Sequence, residues 1–310
     1  MWIKSMTVKQ LMASMTLALG ATLLAQPGYT ASNEDKKLSF NAKEVASGIY
    51  MLQGIGGFTG GNIGLSIGED GVVMIDDSMP PMLDIMKTAI KSVTDKPVDF
   101  LINTHVHGDH IGNNAAMAND GAHIVAHENL RHHLLTKGIS SGGKTKDAPK
   151  AMLPVITFSH SMSFHLNGED AELIHLPKAH TDGDAAIHFK QANVIHTGDV
   201  FFNGMFPYID INSGGSVDGY ISAQETLIKL ANDKTKIIPG HGPLASKSDL
   251  EKAVAMLKEA KSRIAKAIDK GLSEDDVVNN NPLSDYHEAW NWGFITTEKM
   301  TRQVYKSLKQ

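Results

Sequence analysis

The 310-residue sequence contains no cysteine. Disulfide bonds are therefore excluded, as is a lipid anchor attached through a cysteine. The sequence also lacks a basic run, and its net charge is −5, which makes nucleic acid a poor candidate partner. The apolar content of 42% and the charged content of 20% are ordinary for a globular protein.

The N-terminal segment has the pattern of a secretory signal peptide. Lys4 and Lys9 precede an apolar stretch over residues 11–25, and Ala25 or Ala31 suits a cleavage point. The stretch is short for a bilayer span, and the alternative is a buried N-terminal helix. We expect residues 1–31 to be a signal peptide and linker, and residues 32–310 to form a periplasmic enzyme domain without a membrane anchor.

Ligand-type side chains are concentrated directly after an apolar run. Residues 97–102 read as a buried strand, and His105, His107, Asp109 and His110 follow within eight residues. Alternate residues of an extended segment point the same way, so His105 and His107 can aim at one ion, with Asp109 and His110 on a second. Gly108 is expected to permit a sharp turn between them. The alternative is a polar loop that happens to be rich in histidine.

The His-x-His-x-Asp-His pattern after a strand resembles the signature of the metallo-β-lactamase superfamily. The resemblance implies an α/β (α+β) fold, a four-layer αββα sandwich with metals at one sheet edge. It also implies three later ligands, each just after a strand, and the sequence offers His180, Asp199 and His241. His180 would complete the first site, His241 the second, and Asp199 would bridge the two ions.

The same resemblance assigns roles to residues outside the ligand set. Asp76 is expected to brace the loop that bears the first ligands. The segment 54–61, with five glycines in eight residues, is expected to form a flap whose Phe58 touches substrate, although a plain wide hairpin is the alternative. His196, close to Asp199 in sequence, is expected to support that ligand.

The implied chemistry is hydrolysis of a small molecule by two Zn²⁺ ions, with Fe or Mn left open. A hydroxide bridging the metals would attack an acyl carbon in an amide, lactam, lactone, ester or thioester. Asp109 is the expected catalytic residue, because it could hold the hydroxide and pass a proton to the leaving group. The expected export to the periplasm also leaves β-lactamase activity open, and the sequence does not indicate an oligomeric state.

The residues present separate several relatives of this superfamily. Lactamases with a cysteine ligand are excluded by composition, mono-zinc lactamases replace the residue at His105, and diiron flavoproteins carry an acid at His107. A thioesterase of the glyoxalase II type remains an alternative if Lys258, Lys261, Arg263 and Lys266 form a basic helical face. Another alternative is a sulfur dioxygenase with a single iron, and a third is a binding module without turnover, against which the full set of seven ligands argues.

The secondary-structure pattern predicts strands and helices around these motifs. Residues 69–71 read as a hairpin between two strands, and the tail from about residue 246 to 310 reads as helical. Ser248 and Glu251 suggest a capping box, and the aromatic residues at 286–292 are expected in the core rather than in a cleft. We also expect one strand over 155–165, a loop over 140–150 and a helix over 111–118.

Overall fold

The computed structural model describes residues 37–141 and 144–310, and the predicted signal peptide lies outside this part of the chain. The strands are β1 Ser39–Ala46, β2 Ile49–Ile55, β3 Ile63–Gly68, β4 Gly71–Ile75, β5 Phe100–Ile102, β6 His123–His127, β7 Ile139–Ser141, β8 Lys144–Lys146, β9 Ile156–Phe158, β10 Ser161–Leu166, β11 Glu169–His175, β12 Ala185–Phe189, β13 Val194–His196, β14 Lys236–Ile238 and β15 Ala245–Ser246. The helices are α1 Leu83–Lys91, α2 Gly108–Ile111, α3 Asn114–Asn119, α4 Glu128–Lys137, α5 Val217–Leu230, α6 Lys247–Asp269, α7 Glu274–Asn279, α8 His287–Trp290 and α9 Thr297–Leu308. No helix within this described part is long and apolar enough to cross a bilayer.

Two mixed sheets carry most of the strands. The first has the order β1-β2-β3-β4-β5-β6-β9, in which β1 to β4 are antiparallel and β4, β5, β6 and β9 are parallel. The second has the order β10-β11-β12-β13-β14-β15, with a parallel pair only between β13 and β14. The predicted hairpin at 69–71 is confirmed as the β3–β4 turn, where Gly71 adopts a φ of 139°.

Buried side chains alternate between the two faces of the first sheet, and each face packs against a different layer. Leu101 and Ile102 are both buried, yet they belong to different apolar clusters, because successive side chains point to opposite faces. The cluster between the sheets combines side chains from both of them: Met51, Val73, Ile75, Ile102, Val125, Leu173, Ile187, Phe189, Val194 and Ile238. The two sheets therefore pack face to face.

Helices cover the two outer faces. Met86 and Ile90 of α1 pack against the outer face of the first sheet. Leu227 of α5 and Leu250 of α6 pack with Ile195 on the outer face of the second sheet. The order helix, sheet, sheet, helix confirms the four-layer αββα architecture. Helices α6, α7 and α9 also share an apolar cluster with α5.

Several local predictions were wrong. The predicted strand over 155–165 divides into β9 and β10, which belong to different sheets. The loop predicted over 140–150 contains the β7–β8 ladder, and the helix predicted over 111–118 is interrupted between α2 and α3. The capping box of α6 uses Ser246 and Asp249 instead of Ser248 and Glu251.

Candidate metal centre

The segments that follow four strands deliver the nominated ligands to one place. The loop after β5 carries His105 and His107, and α2 carries Asp109 and His110. The segments after β11, β13 and β14 carry His180, Asp199 and His241 respectively. The structure thus brings together all seven side chains that the sequence nominated. Gly108 has a negative φ and open space at its Cβ position, so the expected need for glycine at the turn was wrong.

The first group contains three imidazoles. Donor atoms of His105, His107, His180 and Asp199 all lie within 4.8 Å of one another. His107 Nδ1 lies 2.7 Å from His180 Nε2, so the two rings present different nitrogens to a common centre. Three imidazoles with an open fourth position are typical of a catalytic zinc site.

The second group lies beside the first. Asp109, His110 and His241 also have donor atoms within 4.8 Å of one another. His241 Nε2 lies 3.4 Å from His110 Nε2 and 3.3 Å from Asp109 Oδ2. Both histidines are buried, whereas 23% of the Asp109 side chain is exposed. Asp109 is therefore the most exposed member of this group.

Asp199 lies between the two groups and turns one oxygen to each. Its Oδ2 atom is 3.7 Å from His105 Nε2 and 3.5 Å from His180 Nε2. Its Oδ1 atom is 3.0 Å from His110 Nε2 and 3.4 Å from His241 Nε2. This is the arrangement that a bridging carboxylate requires.

Asp76 fixes the orientation of the first ligand loop. Its carboxylate accepts hydrogen bonds from the Thr104 amide and hydroxyl, each at 2.7 Å, and lies 2.7 Å from His110 Nδ1. Asp76 itself adopts a left-handed φ of 59°, which is uncommon for a residue with a side chain. The brace predicted from the sequence therefore has a direct structural counterpart.

The remaining histidines of the first group also have partners on their outer nitrogens. His107 Nε2 lies 2.9 Å from the Asp210 carboxylate, and His180 Nδ1 lies 2.7 Å from the Tyr208 carbonyl. His105 Nδ1 is 3.0 Å from the Thr104 hydroxyl. Such contacts fix the tautomer and leave the opposite nitrogen free to bind a metal. Asp210 was not nominated from the sequence.

The residues present fit divalent metal ions. Buried polar atoms normally have hydrogen-bond partners. Within the described part of the chain, His105 Nε2 and Asp199 Oδ1 are buried without a hydrogen bond, and both face the centre of the cluster. Imidazole and carboxylate donors with supported outer atoms are the set that zinc and similar ions use.

Protonation differs between the two groups. Burial lowers the pKa of His105 well below its usual range and that of His180 to about 4, so both rings are neutral near pH 7. Burial opposes the charge of His241, but Asp199 and Asp109 outweigh it and raise its pKa to about 9. Because ligands must be deprotonated to bind a metal, a metal ion at the second group would displace a proton from His241.

Two glycines permit close approach to the ligands. A Cβ atom at Gly61 would lie 2.2 Å from the His110 ring, and one at Gly240 would lie 2.1 Å from Asp199 Oδ1. Gly61 also donates from its amide to the Asp109 carbonyl at 3.1 Å. The glycine-rich segment 54–61 therefore contacts α2 directly, and the flap role assigned to it stays a prediction.

A cavity of about 730 Å³ opens over the cluster. Phe58 lies at this cavity and stacks on His241, with ring centroids 5.8 Å apart. Trp292 also lines it, while Trp290 and Trp292 both pack against the apolar cluster shared by α5, α6, α7 and α9, so the predicted core position holds for both and Trp292 serves the cavity as well. His196, buried near Asp199, accepts from the Gly198 amide at 3.3 Å, which supports the predicted role of holding this segment.

Comparison with known proteins agrees with this fold. A model of the metallo-β-lactamase superfamily matches residues 56–241. The chain belongs to the metallo-β-lactamase superfamily. Members of this superfamily are metal-dependent hydrolases, which confirms the enzyme class that the resemblance implied.

Individual relatives carry diverse names. The chain is 28% identical to the alpha subunit of 2,4-dinitroanisole O-demethylase from Nocardioides sp. (strain JS1661), over 59% of this chain and 53% of that protein. It is 28% identical to a probable metallo-hydrolase of Bacillus subtilis (strain 168), over 47% of this chain and 69% of that protein. It is 20% identical to a linear primary-alkylsulfatase of Pseudomonas sp. (strain ATCC 19151), over 76% of this chain and 53% of that protein. The chain thus spans about half the length of the demethylase subunit and of the alkylsulfatase.

Solved structures support the fold. A metallo-β-lactamase from Pontibacter korlensis matches with a TM-score of 0.60 at 17% identity, covering 71% of this chain and 99% of that one. A stereoselective inverting sec-alkylsulfatase from Pseudomonas sp. matches with a TM-score of 0.63 at 16% identity, covering 86% of this chain and 50% of that one. At these identities the likeness concerns the fold alone.

Proposed function

We propose that this protein is a dinuclear metal-dependent hydrolase that cleaves an acyl bond in a small molecule. The observation that carries the proposal is Asp199, whose two oxygens face two separate groups of ligand-type side chains. A single metal site would need only one of these groups. Two Zn²⁺ ions suit the histidine-rich donor set, with Fe or Mn as the alternatives that metal analysis must decide.

Each ion would be held by its own group of residues. His105, His107 and His180 would hold one ion, and Asp109, His110 and His241 the other, with Asp199 shared. When bound, such ions supply a nucleophile from water at neutral pH and polarise a carbonyl oxygen.

Asp109 is the proposed catalytic residue. Its carboxylate lines the cavity, and His110 and His241 hold its pKa at about 2 although burial opposes this, so it is ionised near pH 7. An ionised carboxylate at this position can accept a proton from the attacking water and return it to the leaving atom. Water then adds to the acyl carbon, the bond from that carbon to oxygen, nitrogen or sulfur breaks, and the leaving atom gains the proton.

The basic residues of α6 give little support to a thioesterase that holds acidic glutathione. Lys258 pairs with Glu225, and Arg263 pairs with Asp285 on the surface. Among the described residues that line the cavity, none belongs to α6. The names of the relatives do not select a substrate either, because they include an O-demethylase subunit and an alkylsulfatase.

Metal analysis of the purified full chain is the first test. We expect two zinc ions per chain, together with hydrolysis of at least one member of a panel of β-lactam, lactone, ester and thioester substrates. One iron per chain with oxygen consumption on a persulfide would support the sulfur dioxygenase instead. Protein that binds no metal under any loading condition would overturn the proposal.

The Asp109→Asn variant tests the catalytic assignment. We expect turnover to fall by roughly 10²–10⁴-fold, the usual contribution of a proton-transfer group, while at least one metal ion is retained. Asp233→Asn is the matched control, because Asp233 is an exposed acid on the surface. Wild-type turnover in Asp109→Asn would remove the residue from the mechanism.

Export to the periplasm is a second part of the proposal. It is supported by the pattern of residues 1–31 in the sequence, with the domain proposed to begin at residue 32. Expression in a Gram-negative host followed by fractionation tests it, and N-terminal sequencing would show whether cleavage follows Ala25 or Ala31. Unprocessed protein in the cytoplasm would contradict export.

A further inference from the structure

Aromatic side chains surround the open side of the metal centre. They come from the glycine-rich segment, from the segment after β13 and from the segment before α9. We call this set the aromatic cup, and its members are Phe58, Phe202, Tyr208, Trp292 and Phe294.

The rings are in contact with the ligands on both sides of the cluster. Phe202 stacks on His241, with centroids 4.9 Å apart and planes at 24°. On the other side, Tyr208 stacks on His107 at 5.6 Å and 30°. The ring faces therefore begin where the proposed metal ions would lie, and a molecule that reaches the ions must pass along them.

Edge contacts join these rings into one wall. Phe294 meets Tyr208 edge-on at 5.5 Å and Trp292 edge-on at 5.7 Å. The Trp292 indole Nε1 already donates to the Phe206 carbonyl at 2.8 Å, so the indole offers its ring rather than a hydrogen bond to a ligand. Aromatic rings prefer edge-to-face and offset stacked partners, and a wall of this kind selects flat rings.

Two members of the cup are exposed. Phe58 is 57% exposed and Phe294 is 51% exposed, although both are large apolar side chains. Exposed apolar surface grouped around a cavity is typical of a ligand-binding site. A ring bound in the cup would remove this surface from water.

The charges at the cavity are acidic. Asp109 and Asp199 belong to the metal centre, and Asp210 bonds to His107. Among the described residues lining the cavity, none is Lys or Arg. The ammonium of Lys299 lies 5.2 Å from the Phe294 ring centroid, but it donates to the Phe294 carbonyl and is not a lining residue.

An anionic substrate would therefore lack a protein partner. Moving a carboxylate or sulfate from water into an apolar site without a compensating cation is unfavourable. The metal ions themselves are required by the group that reacts, so they do not serve a second anionic group.

We propose that the substrate is an uncharged acyl compound that carries an aromatic ring, with the ring in the aromatic cup and the acyl carbon over the metal centre. This inference rests on the proposed hydrolase function for its reacting group. Recognition of the ring itself depends only on the cup.

Binding to the metal-loaded full chain tests recognition without turnover. Isothermal titration calorimetry would compare β-naphthol with its saturated analogue, decahydro-β-naphthol. We expect β-naphthol to bind at least about tenfold more tightly. Equal affinity for the two alcohols would overturn the aromatic argument.

Turnover and variants complete the test. We expect kcat/KM for β-naphthyl acetate to exceed that for its carboxylated analogue, the acetate ester of a hydroxynaphthoate, by about tenfold. Trp292→Ala should lower kcat/KM for β-naphthyl acetate about tenfold and should lower the ratio of this value to kcat/KM for ethyl acetate. If Trp292→Ala does not fold, Phe294→Ala at a more exposed position tests the same change in kcat/KM. Val155→Ala, at another exposed apolar residue, is the control.

The outcomes separate this inference from the proposed function. Hydrolysis of charged and neutral esters at equal rates, unaffected by either variant, would contradict substrate recognition by the aromatic cup. The proposed hydrolase function would still stand. Selective binding of β-naphthol without hydrolysis of any acyl substrate would contradict the proposed hydrolase function. Recognition of an aromatic ring by the cup would still stand.

Discussion

The Asp210 carboxylate lies 2.9 Å from Nε2 of His107, while Nδ1 of the same ring faces His180 at 2.7 Å. The imidazole thus connects an acid in the cavity wall to the centre of the first ligand group. His180 and Asp210 hold the ring from opposite edges. A carboxylate in this position orients a metal-binding ring and increases its basicity.

The Asp210→Asn substitution is expected to weaken metal binding at the first group by about 10–100-fold, the usual effect of removing such a partner. The amide oxygen can still accept from the Asn212 and Ser213 amides, so the local turn should persist. Competition with a zinc-binding dye measures the affinity. Asp218→Asn, at an exposed acid, is the control, and equal affinity in both variants would argue against the role of Asp210.

Gly61 leaves no room for a side chain beside His110. We expect Gly61→Ala to displace the His110 ring, to lose the metal ion of the second group and to lower the free energy of unfolding by about 1–3 kcal/mol. Metal analysis and urea unfolding measure the two effects. Gly108→Ala lies in the ligand loop with open space at Cβ, so it should retain both metals, and a Gly61→Ala protein that also retains both would refute the steric argument.

The metal centre was open to prediction because its residues carry local signals. His180, Asp199 and His241 each follow a short β-rich run and are of metal-ligand type. Asp210 has no such signal, because it follows no strand and its partner His107 is distant in sequence. Of the aromatic cup only Phe58 was expected at the substrate, because only the fold brings Phe202 and Trp292 to the same wall.

Errors in the fold have a similar origin. The residues from 155 to 165 form a continuous strand-like pattern, and only tertiary packing divides them between two sheets. At the start of α6, both Ser246 with Asp249 and Ser248 with Glu251 fit the spacing of a capping box. Pairing of β15 with β14 keeps Ser246 extended, and this long-range contact decides where the helix begins.

The start of α6 can be tested by a pair of alanine variants. Ser246→Ala removes the oxygen that accepts from the Asp249 amide, so we expect the free energy of unfolding to fall by about 1 kcal/mol. Ser248→Ala, at an exposed position in the first turn, should change it by less than about 0.5 kcal/mol. Urea unfolding compares the two variants. A larger loss of unfolding free energy in Ser248→Ala than in Ser246→Ala would support the capping box predicted from the sequence.

His127 is a buried histidine whose contacts require the neutral ring. Its Nε2 donates to the Ser159 carbonyl at 2.9 Å, and its Nδ1 accepts from the Asn129 amide at 3.2 Å, which caps α4. The ring also stacks on His175, with centroids 3.6 Å apart. Burial lowers the pKa of His127, and the Ser159 carbonyl offsets this only in part.

The unfolded chain, in which the His127 pKa is about 6.5, therefore binds more protons than the folded protein as the pH falls. The stability that the neutral ring contributes is complete above about pH 6.5 and decreases below it, towards the folded pKa. We expect His127→Asn, which keeps a capping acceptor but does not titrate, to reduce the slope of unfolding free energy against pH below about 6.5. Urea unfolding across this range measures the slope, with His132→Gln on the exposed side of α4 as the control. Identical slopes in wild type and His127→Asn would show that the proton binds elsewhere.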